Sequence, residues 1–274
     1  MKKIYILFAV LTALILTSCE EVIDVDLDTA KPRLVVDASI NWYKNTDGSQ
    51  QVIKLTTTNG FYESEVPKVN GATVFVTNSQ GTLFTFTENP GTGEYTCNYF
   101  APVINETYTL TVEYNDQMYT ATETLYAVPE IGNVVQDNEG GFLGDEIEVR
   151  FYFQDNGQED NFYMARFDSE VLSYPDYDIS DDEFFQGNEM FNFISNEDFK
   201  PGQHVGISLY GVSERFHNYM DILIAMADGD AGNGPFQTPP VSVRGNIINQ
   251  SNEDNYALGY FRLSEVDTVD YIIQ

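Results

Sequence analysis

The feature that most constrains the fold of this 274-residue chain is a period-two alternation of apolar and polar residues from Arg33 to about Tyr126. Val74 and Val76 share one face of such a segment, and Phe84 and Phe86 share one face of the next. Alternation interrupted by turn residues is typical of short antiparallel strands that bury one face. It predicts strands at Leu34–Ser39, Gln51–Thr57, Ala72–Thr77, Thr82–Thr87, Glu94–Tyr99, Thr107–Tyr114 and Met118–Thr124.

Strands with one apolar face need a second sheet to cover that face. We therefore predict an all-β fold whose N-terminal domain, residues 32–128, is a β-sandwich. Gly71–Val76, Gly93–Tyr95 and Tyr108–Leu110 resemble segments of the prealbumin-like or immunoglobulin-like modules of bacterial surfaces. Asn115-Asp116 predicts a tight hairpin between the last two strands.

Pro129 and the segment Asp137–Gly144, rich in Gly, Asn and Asp, predict a domain boundary, and residues 129–274 are expected to form a second β-sandwich. Asp168–Asp198 is acid-rich and contains no Lys or Arg, so we predict a long loop there. Alternating or apolar segments predict further strands at Ile147–Phe153, Phe162–Phe167, Val205–Tyr210, Val241–Ile247 and Ala257–Leu263.

One amphipathic helix is predicted over residues 213–227 of this second domain. Ser213 can cap it, and Glu214 suits the positive end of the helix dipole. Asp228-Gly229 is expected to end it. Apolar residues recur at helical spacing, which predicts that the helix packs on a sheet; they are Phe216, Tyr219, Met220, Leu223, Met226 and Ala227.

The first residues of the chain predict export. Lys2 and Lys3 precede the uncharged apolar run Ile4–Leu16, which is shorter than the ~20 residues that a membrane-spanning helix needs. The following segment, which ends at Cys19, resembles the bacterial lipobox, whose cysteine is acylated and becomes the new amino terminus. We therefore predict a signal peptide over residues 1–18 and lipid attachment, by palmitate-like acyl chains, at Cys19.

Residues 19–31 are predicted to form a lipidated acidic tether. The acids close to Cys19 resemble the signal that sends Bacteroidota lipoproteins to the outer leaflet of the outer membrane. Retention in the inner membrane is the alternative, but the rule for it rests on Asp beside the cysteine, and this chain has Glu20 there. We therefore expect a lipid-anchored protein on the outer face of the outer membrane.

The chain has 43 Asp and Glu residues against 13 Lys and Arg, for a formal net charge of −30. Such a surface repels phosphate backbones, which excludes nucleic acid as a partner. It also repels anionic lipid headgroups, so the acyl chains should hold the protein to the membrane. Cys97 is the one cysteine besides Cys19, and its alternation with Tyr95 and Tyr99 predicts a small buried apolar residue.

Several segments together resemble the Bacteroidota surface lipoproteins grouped as domain of unknown function 4249. The resemblance implies an accessory role in nutrient or metal uptake, because members often lie near genes for TonB-dependent outer-membrane receptors. It implies no catalytic or binding residues, since none is established for the family. The matching segments are Pro32–Ile40, Phe151–Asp155, Asn161–Tyr163, Gly234–Phe236, Gly245–Ile247 and Leu258–Phe261.

Catalytic chemistry finds little support in the sequence. His204 and His217 are the two histidines, and neither a Gly-x-Ser-x-Gly elbow nor a zinc-binding motif is present. A glycosidase needs only two carboxylates at a suitable separation. Among 43 acidic residues some pair will always qualify, so such a pair is no evidence for this activity. We predict that the protein is not an enzyme and requires no cofactor.

Calcium is the most specific ligand that the sequence suggests. Asp228, Asp230 and Asn233 offer oxygen ligands in a glycine-rich segment, although Pro239 stands where an EF-hand would close with Glu. A helix stop followed by a turn is the alternative interpretation. A second acidic cluster, with a solvated loop as its alternative, comprises Asp176, Asp178, Asp181, Asp182 and Glu183.

Aromatic residues on predicted loops form a candidate platform for sugar rings or for the apolar surface of a partner, with ordinary packing as the alternative. They are Trp42, Tyr43, Phe61, Tyr62, Tyr174, Tyr177, Phe184 and Phe185. Our first hypothesis is a non-enzymatic surface lipoprotein that captures a ligand for, or docks on, a TonB-dependent receptor. The alternatives are a structural or adhesive module of the cell envelope and a surface hydrolase.

Overall fold

The computed structural model describes residues 31–60, 63, 65–227 and 243–274, and its elements are mostly strands. The strands are β1 (Leu34–Tyr43), β2 (Gln51–Thr57), β3 (Thr73–Asn78), β4 (Leu83–Asn89), β5 (Glu94–Cys97), β6 (Thr107–Tyr114), β7 (Gln117–Tyr126), β8 (Ile131–Gly140), β9 (Glu146–Gln154), β10 (Phe162–Ser169), β11 (Asp176–Asp181), β12 (Glu189–Asn196), β13 (His204–Val212), β14 (Ile248–Asn249) and β15 (Leu258–Ile272). Helix α1 (Glu214–Ala227) lies between β13 and β14. The predicted all-β class is confirmed, and each strand predicted before Tyr126 overlaps an observed one.

Strands β15, β1, β2, β5, β4, β3, β6 and β7 pair in that order, and β7 pairs again with β15. This second pairing joins Leu263 to Leu125 and closes a ring of eight strands. Val36, Ala38 and Ile40 point from β1 into the core of the ring, where they are fully buried. The structure is therefore a closed barrel and not a sandwich of residues 32–128, because β15 covers the edges of both β1 and β7.

A second core lies between two sheets in the other half of the molecule. The sheet β12-β9-β8 packs its apolar face, including Phe151 and Phe153, against β10 and β13. β13 pairs antiparallel with the second half of β15, from Tyr210 opposite Val266 to His204 opposite Ile272. The first half of β15 is thus a wall of the barrel, and its second half belongs to the sandwich. The prediction of two separate sandwich domains is wrong, because the barrel and the sandwich share this strand.

Three strands occur where a boundary or a loop is predicted. β8 covers the predicted boundary segment, and β11 and β12 lie within the predicted loop Asp168–Asp198. β8 and β11 are rich in polar residues, whereas β12 contributes Met190 and Ile194 to the sandwich core. Backbone pairing with β9 and β10 holds all three strands in place. The predicted strand Val241–Ile247 is not found over residues 243–247, and its first two residues lie outside the described part of the chain.

Two local predictions in the barrel are confirmed. Asn115 and Asp116 have φ angles of 50° and 57°, which is the left-handed backbone that a two-residue hairpin turn requires. Cys97 is 1% exposed, and burial raises the pKa of its thiol. It packs in the barrel core as a small apolar residue.

Tyr108 on β6 carries a feature typical of immunoglobulin-like folds. Its ring is fully buried, and its hydroxyl donates a hydrogen bond to the carbonyl of Ala101 at 3.1 Å. The same hydroxyl accepts a hydrogen bond from the amide of Val103 at 3.0 Å. A tyrosine bonded to backbone a few residues upstream is the tyrosine corner of such folds. It fixes the chain where it enters β6.

Helix α1 begins as predicted, one residue after its cap. The Ser213 hydroxyl accepts a hydrogen bond from the amide of Phe216 at 3.2 Å. Phe216 is buried against Met164 and Tyr260, on the face of the β10–β13–β15 sheet that is opposite the sandwich core. Neighbouring strand residues point to opposite faces, so Tyr163 enters the core while Met164 meets the helix. No helix within the described ranges is long and apolar enough to cross a membrane.

Candidate functional site

A cavity of about 750 Å³ opens on the sheet face that α1 also covers. Its lining comes from the barrel strands β1 and β2 and from β10, β11 and β13 of the sandwich, with β15 between them. The β1 residues Asp37, Ser39, Asn41 and Tyr43 line it because the residues that alternate with them fill the barrel core. We call this cavity the Arg–Tyr groove. Its volume is within the range of small-molecule sites.

Arg262 is a buried cation in the Arg–Tyr groove, with only 5% of its surface exposed. It donates hydrogen bonds to the hydroxyl of Ser264 at 2.6 Å and to the side-chain oxygen of Asn41 at 2.9 Å. Its guanidinium carbon lies 5.0 Å from the ring centre of Tyr210 and 5.3 Å from that of Phe216. Burial lowers its pKa, but an arginine stays charged at neutral pH.

The charge of Arg262 is not matched by an adjacent carboxylate. Within the described ranges, no ion pair joins a carboxylate to it within 4.0 Å. Both of its hydrogen-bond acceptors are neutral oxygens, and Asp37 acts on it only as a nearby charge. A buried charge without an ionic partner is costly to the fold. Such a group marks a site where an anion would be stabilised.

Arg166 on β10 is the second guanidinium in the groove. Its Nη2 donates a hydrogen bond to Asp168 at 2.7 Å, which raises its pKa. Its Nε is buried and has no hydrogen-bond partner in the part of the chain that the structure describes. Its guanidinium carbon lies 6.0 Å from the ring centre of Tyr177. One edge of this guanidinium is therefore paired, and the adjacent Nε–H is buried without a partner among the described residues.

Three tyrosines, Tyr43, Tyr177 and Tyr210, complete the groove. Burial raises the pKa of the Tyr43 and Tyr177 hydroxyls, while both guanidinium groups act to lower it. Both arginines therefore lie near both phenols. The net effect keeps these hydroxyls protonated and able to donate hydrogen bonds. The prediction of an aromatic platform included Tyr43 and Tyr177, and the structure brings them together with Tyr210.

The groove differs in charge from the rest of the chain. Its lining includes three basic side chains and two carboxylates, whereas the whole chain has 13 basic and 43 acidic residues. The third base, Lys54, is largely exposed and pairs with Glu94 at 3.4 Å. Asp47 is a fully exposed carboxylate whose pKa is lowered by hydrogen bonds from Ser49. The two guanidinium groups therefore dominate the deeper part of the groove.

A smaller cavity of about 280 Å³ continues from the groove to helix α1. It shares Asp37, Tyr177 and Arg262 with the groove, and Phe216 and Tyr219 line its other side. The site therefore has a cationic part and an adjoining aromatic part. This pairing suits a ligand with both an anionic and an apolar or cyclic portion.

The other predicted aromatic residues do not join this site. Trp42 packs against the barrel core, Tyr174 is 84% exposed, and Phe184 and Phe185 lie exposed after β11. Phe61 and Tyr62 lie outside the described residues.

The two histidines, His204 and His217, do not form a catalytic triad with a described nucleophile. The Nδ1 atom of His204 lies 2.8 Å from Asp270 at an exposed surface, which raises the histidine pKa. His217 is partly buried, and the centre of its ring lies 5.4 Å from that of Phe162. Ser213, near His217 in sequence, uses its hydroxyl to cap α1 and to donate a hydrogen bond to Glu123 at 2.9 Å. No triad is assembled among these described residues.

The predicted calcium ligands Asp228, Asp230 and Asn233 lie outside the described residues, as does the lipid-attachment residue Cys19. Over the ranges that the structure does describe, no group of three or more His, Cys, Asp or Glu residues is arranged to hold a metal ion. The residues of the second acidic cluster are all described, and they do not form such a group. Within the cluster, Asp178 accepts a hydrogen bond from Asn192 at 2.6 Å.

Sequence reasoning missed the two arginines and Tyr210. A signal for the arginines was present: Arg166 and Arg262 each interrupt an apolar strand segment, at Met164–Phe167 and Tyr260–Leu263. A cation in the middle of a strand must lie on an exposed face or in a polar site. Only the pairing of β15 with both β1 and β13 brings the two segments to one groove.

Comparison with solved structures gives distant similarities to two fibronectin-domain segments and to a cytokine receptor complex. A two-domain fibronectin type III segment of chicken tenascin is 8% identical, covers 68% of this chain and 89% of its own, and has a TM-score of 0.21. Domains FN1–FN3 of chicken CNTN1 are 14% identical, with coverages of 65% and 62% and a TM-score of 0.26. A cytokine receptor complex is 8% identical, with coverages of 66% and 86% and a TM-score of 0.27. The fold described above rests on the strand pairing of this chain.

No curated protein matches the chain. A family model described as "Domain of unknown function (DUF4249)" matches residues 20–270, which include every strand of the barrel and all but the last residues of the sandwich. The chain therefore belongs to the DUF4249 family.

Proposed function

We propose that this protein is a lipid-anchored, non-enzymatic ligand-capture protein of the outer membrane that serves a TonB-dependent receptor. The observation that carries ligand capture is the Arg–Tyr groove, which joins a buried guanidinium without a carboxylate partner to an aromatic wall. The lipobox-like sequence at Cys19 supports the membrane anchor. The acidic tether after it supports the outward orientation.

The chemistry of the groove favours binding over catalysis. Its deep groups are Arg262, a permanent cation, and Tyr210, whose hydroxyl can donate or accept a hydrogen bond. Its carboxylates, Asp37 and Asp47, belong to exposed residues. General acid–base catalysis needs a group whose pKa lies near the working pH, usually a buried carboxyl or a histidine. Neither lines the groove among the residues that the structure describes.

Affinity purification of the full lipidated chain from detergent-solubilised outer membranes tests the partner and the anchor together. We expect a TonB-dependent receptor to co-purify, and Cys19→Ala to lose both acylation and membrane association. The matched control is Cys97→Ala, which removes the other thiol and should leave membrane association unchanged. Recovery of no membrane protein above background would contradict the receptor partnership. Membrane retention of Cys19→Ala would contradict the lipid anchor.

An adhesive or structural role is the second candidate function, and one surface feature favours it. Phe142 and Leu143 lie in the β8–β9 turn with 101% and 80% of their surfaces exposed. Exposed large apolar side chains on a hairpin turn are typical of protein-contact sites. Binding of the purified chain to whole cells, lost in Phe142→Ser but retained in groove variants, would favour this role.

A further inference from the structure

We propose that the Arg–Tyr groove binds the carboxylate group of a small ring-bearing organic acid, with Arg262 and Arg166 as its anion-binding residues. This inference rests on the proposed function in taking the groove as the ligand site, and it adds the chemical class of the ligand. Three properties of the groove support it: the unsatisfied charge, the free donors and the shape.

The charge of Arg262 is the strongest of these. A guanidinium that is 95% buried with only neutral acceptors has lost much of its hydration without gaining an ion pair. An arriving carboxylate would form the ion pair that the folded chain does not supply. Hydrogen bonds between charged groups are about twice as strong as neutral ones. A carboxylate would therefore bind more tightly beside Arg262 than an uncharged group would.

The donors that remain free suit a carboxylate. Arginine has five N–H groups, and the described contacts of Arg262 use the two terminal nitrogens for neutral acceptors. Arg166 adds a buried Nε that has no partner within the described ranges. The Tyr177 hydroxyl, kept protonated by burial, is a further donor in the same cavity. A planar two-oxygen acceptor matches this set of donors.

The shape of the site indicates that the anion is carried on a ring. The groove of about 750 Å³ continues into the cavity of about 280 Å³ beside Phe216 and Tyr219. Aromatic side chains bind flat apolar or cyclic groups over their faces. An ion as small as acetate would leave this aromatic part empty, so a cyclic acid uses the site more fully.

The net charge of the chain favours a monoanion over a dianion. At −30 the protein repels anions as they approach, and the repulsion grows with the charge of the ligand. A carboxylate carries one negative charge, whereas inorganic phosphate at neutral pH is a mixture of its singly and doubly charged forms. Both would use the same guanidinium donors, and the experiment below separates them.

Calorimetric titration of the full chain in non-ionic detergent tests the proposal with benzoate and D-glucuronate as probes. Benzyl alcohol and D-glucose are their uncharged counterparts, and inorganic phosphate is the competing anion. We expect at least one carboxylate probe to bind, at least tenfold more tightly than its uncharged counterpart and than phosphate. Binding of neither carboxylate, or equal binding of the uncharged compounds, would overturn the proposal. Tighter binding of phosphate would overturn the choice of a carboxylate.

Substitutions in the groove test which side chains bind the carboxylate. Arg262→Met and Arg166→Met should each weaken carboxylate binding at least tenfold. Lys54→Met, which removes the same charge from the exposed rim, should weaken it less than threefold. If Arg262→Met fails to fold, Arg166→Met tests the assignment by itself. The Arg166 side chain is partly exposed, so its replacement should disturb the fold less. Wild-type affinity in Arg166→Met would overturn the assignment. Receptor co-purification without carboxylate binding would refute this inference alone, whereas carboxylate binding without a receptor would refute only the partnership.

Discussion

Replacing Tyr108 by Phe should destabilise the barrel by about 2 kcal/mol. The substitution removes one hydroxyl that makes two hydrogen bonds, to the Ala101 carbonyl at 3.1 Å and from the Val103 amide at 3.0 Å. Each contributes about 1 kcal/mol net to the free energy of unfolding. The ring contacts, including Phe100 at 5.3 Å between ring centres, are retained by Phe. The expected loss is therefore that of the two hydrogen bonds alone.

Urea unfolding of the full chain, followed by circular dichroism, measures this loss, and thermal unfolding should show a decrease of about 4–8 °C for a structured region of this size. Tyr114→Phe is the matched control. It lies on the same strand, and its hydroxyl makes no hydrogen bond in the described part of the chain, so a change below about 0.5 kcal/mol is expected. Equal effects of the two substitutions would refute the reasoning that the Tyr108 hydroxyl anchors the loop before β6.

Three further predictions concern other parts of the molecule. Gly259→Ala should cost about 3 kcal/mol or more in urea unfolding, because its added Cβ would lie 2.0 Å from a backbone oxygen of β1 at a φ of +90°. Gly202→Ala, at a φ of +92° in open space, should cost clearly less, and an equal cost would contradict the steric argument. In NMR titrations the pKa of His204 should lie above its ordinary value of 6.5 and fall in Asp270→Asn, and an unchanged value would exclude the ion pair. Because the pKa is raised in the folded state, this pair stabilises the fold below pH 6.5, and the effect disappears as the pH rises through the raised pKa. Calcium binding by the segment 228–234 should produce heat in calorimetry and raise the melting temperature, and the absence of both would exclude it.

The sequence predicted the local structure well, because the signals for it are local. Alternation fixed the faces of the barrel strands, and Asn115-Asp116 fixed a hairpin through its tolerance of left-handed backbone. Ser213 and the apolar residues after it placed helix α1 within a residue of its observed start. The polar strand β11 was missed because it has little apolar periodicity of its own and is held by backbone bonds to β10. The β-propensity of a segment does not identify a strand that is stabilised mainly by pairing with its neighbour.

The sequence by itself determined the all-β class, the helix, the buried state of Cys97 and the lipobox-like start. Only the tertiary structure decided that β15 closes the barrel and then continues into the sandwich. The same pairing brings Arg262 to the groove that contains Arg166, although the two are far apart in sequence. Alternation specifies which residues share a face of a strand. Which other strand pairs with that strand depends on the packing of the whole chain. The groove is therefore a product of strand pairing that the sequence pattern leaves open.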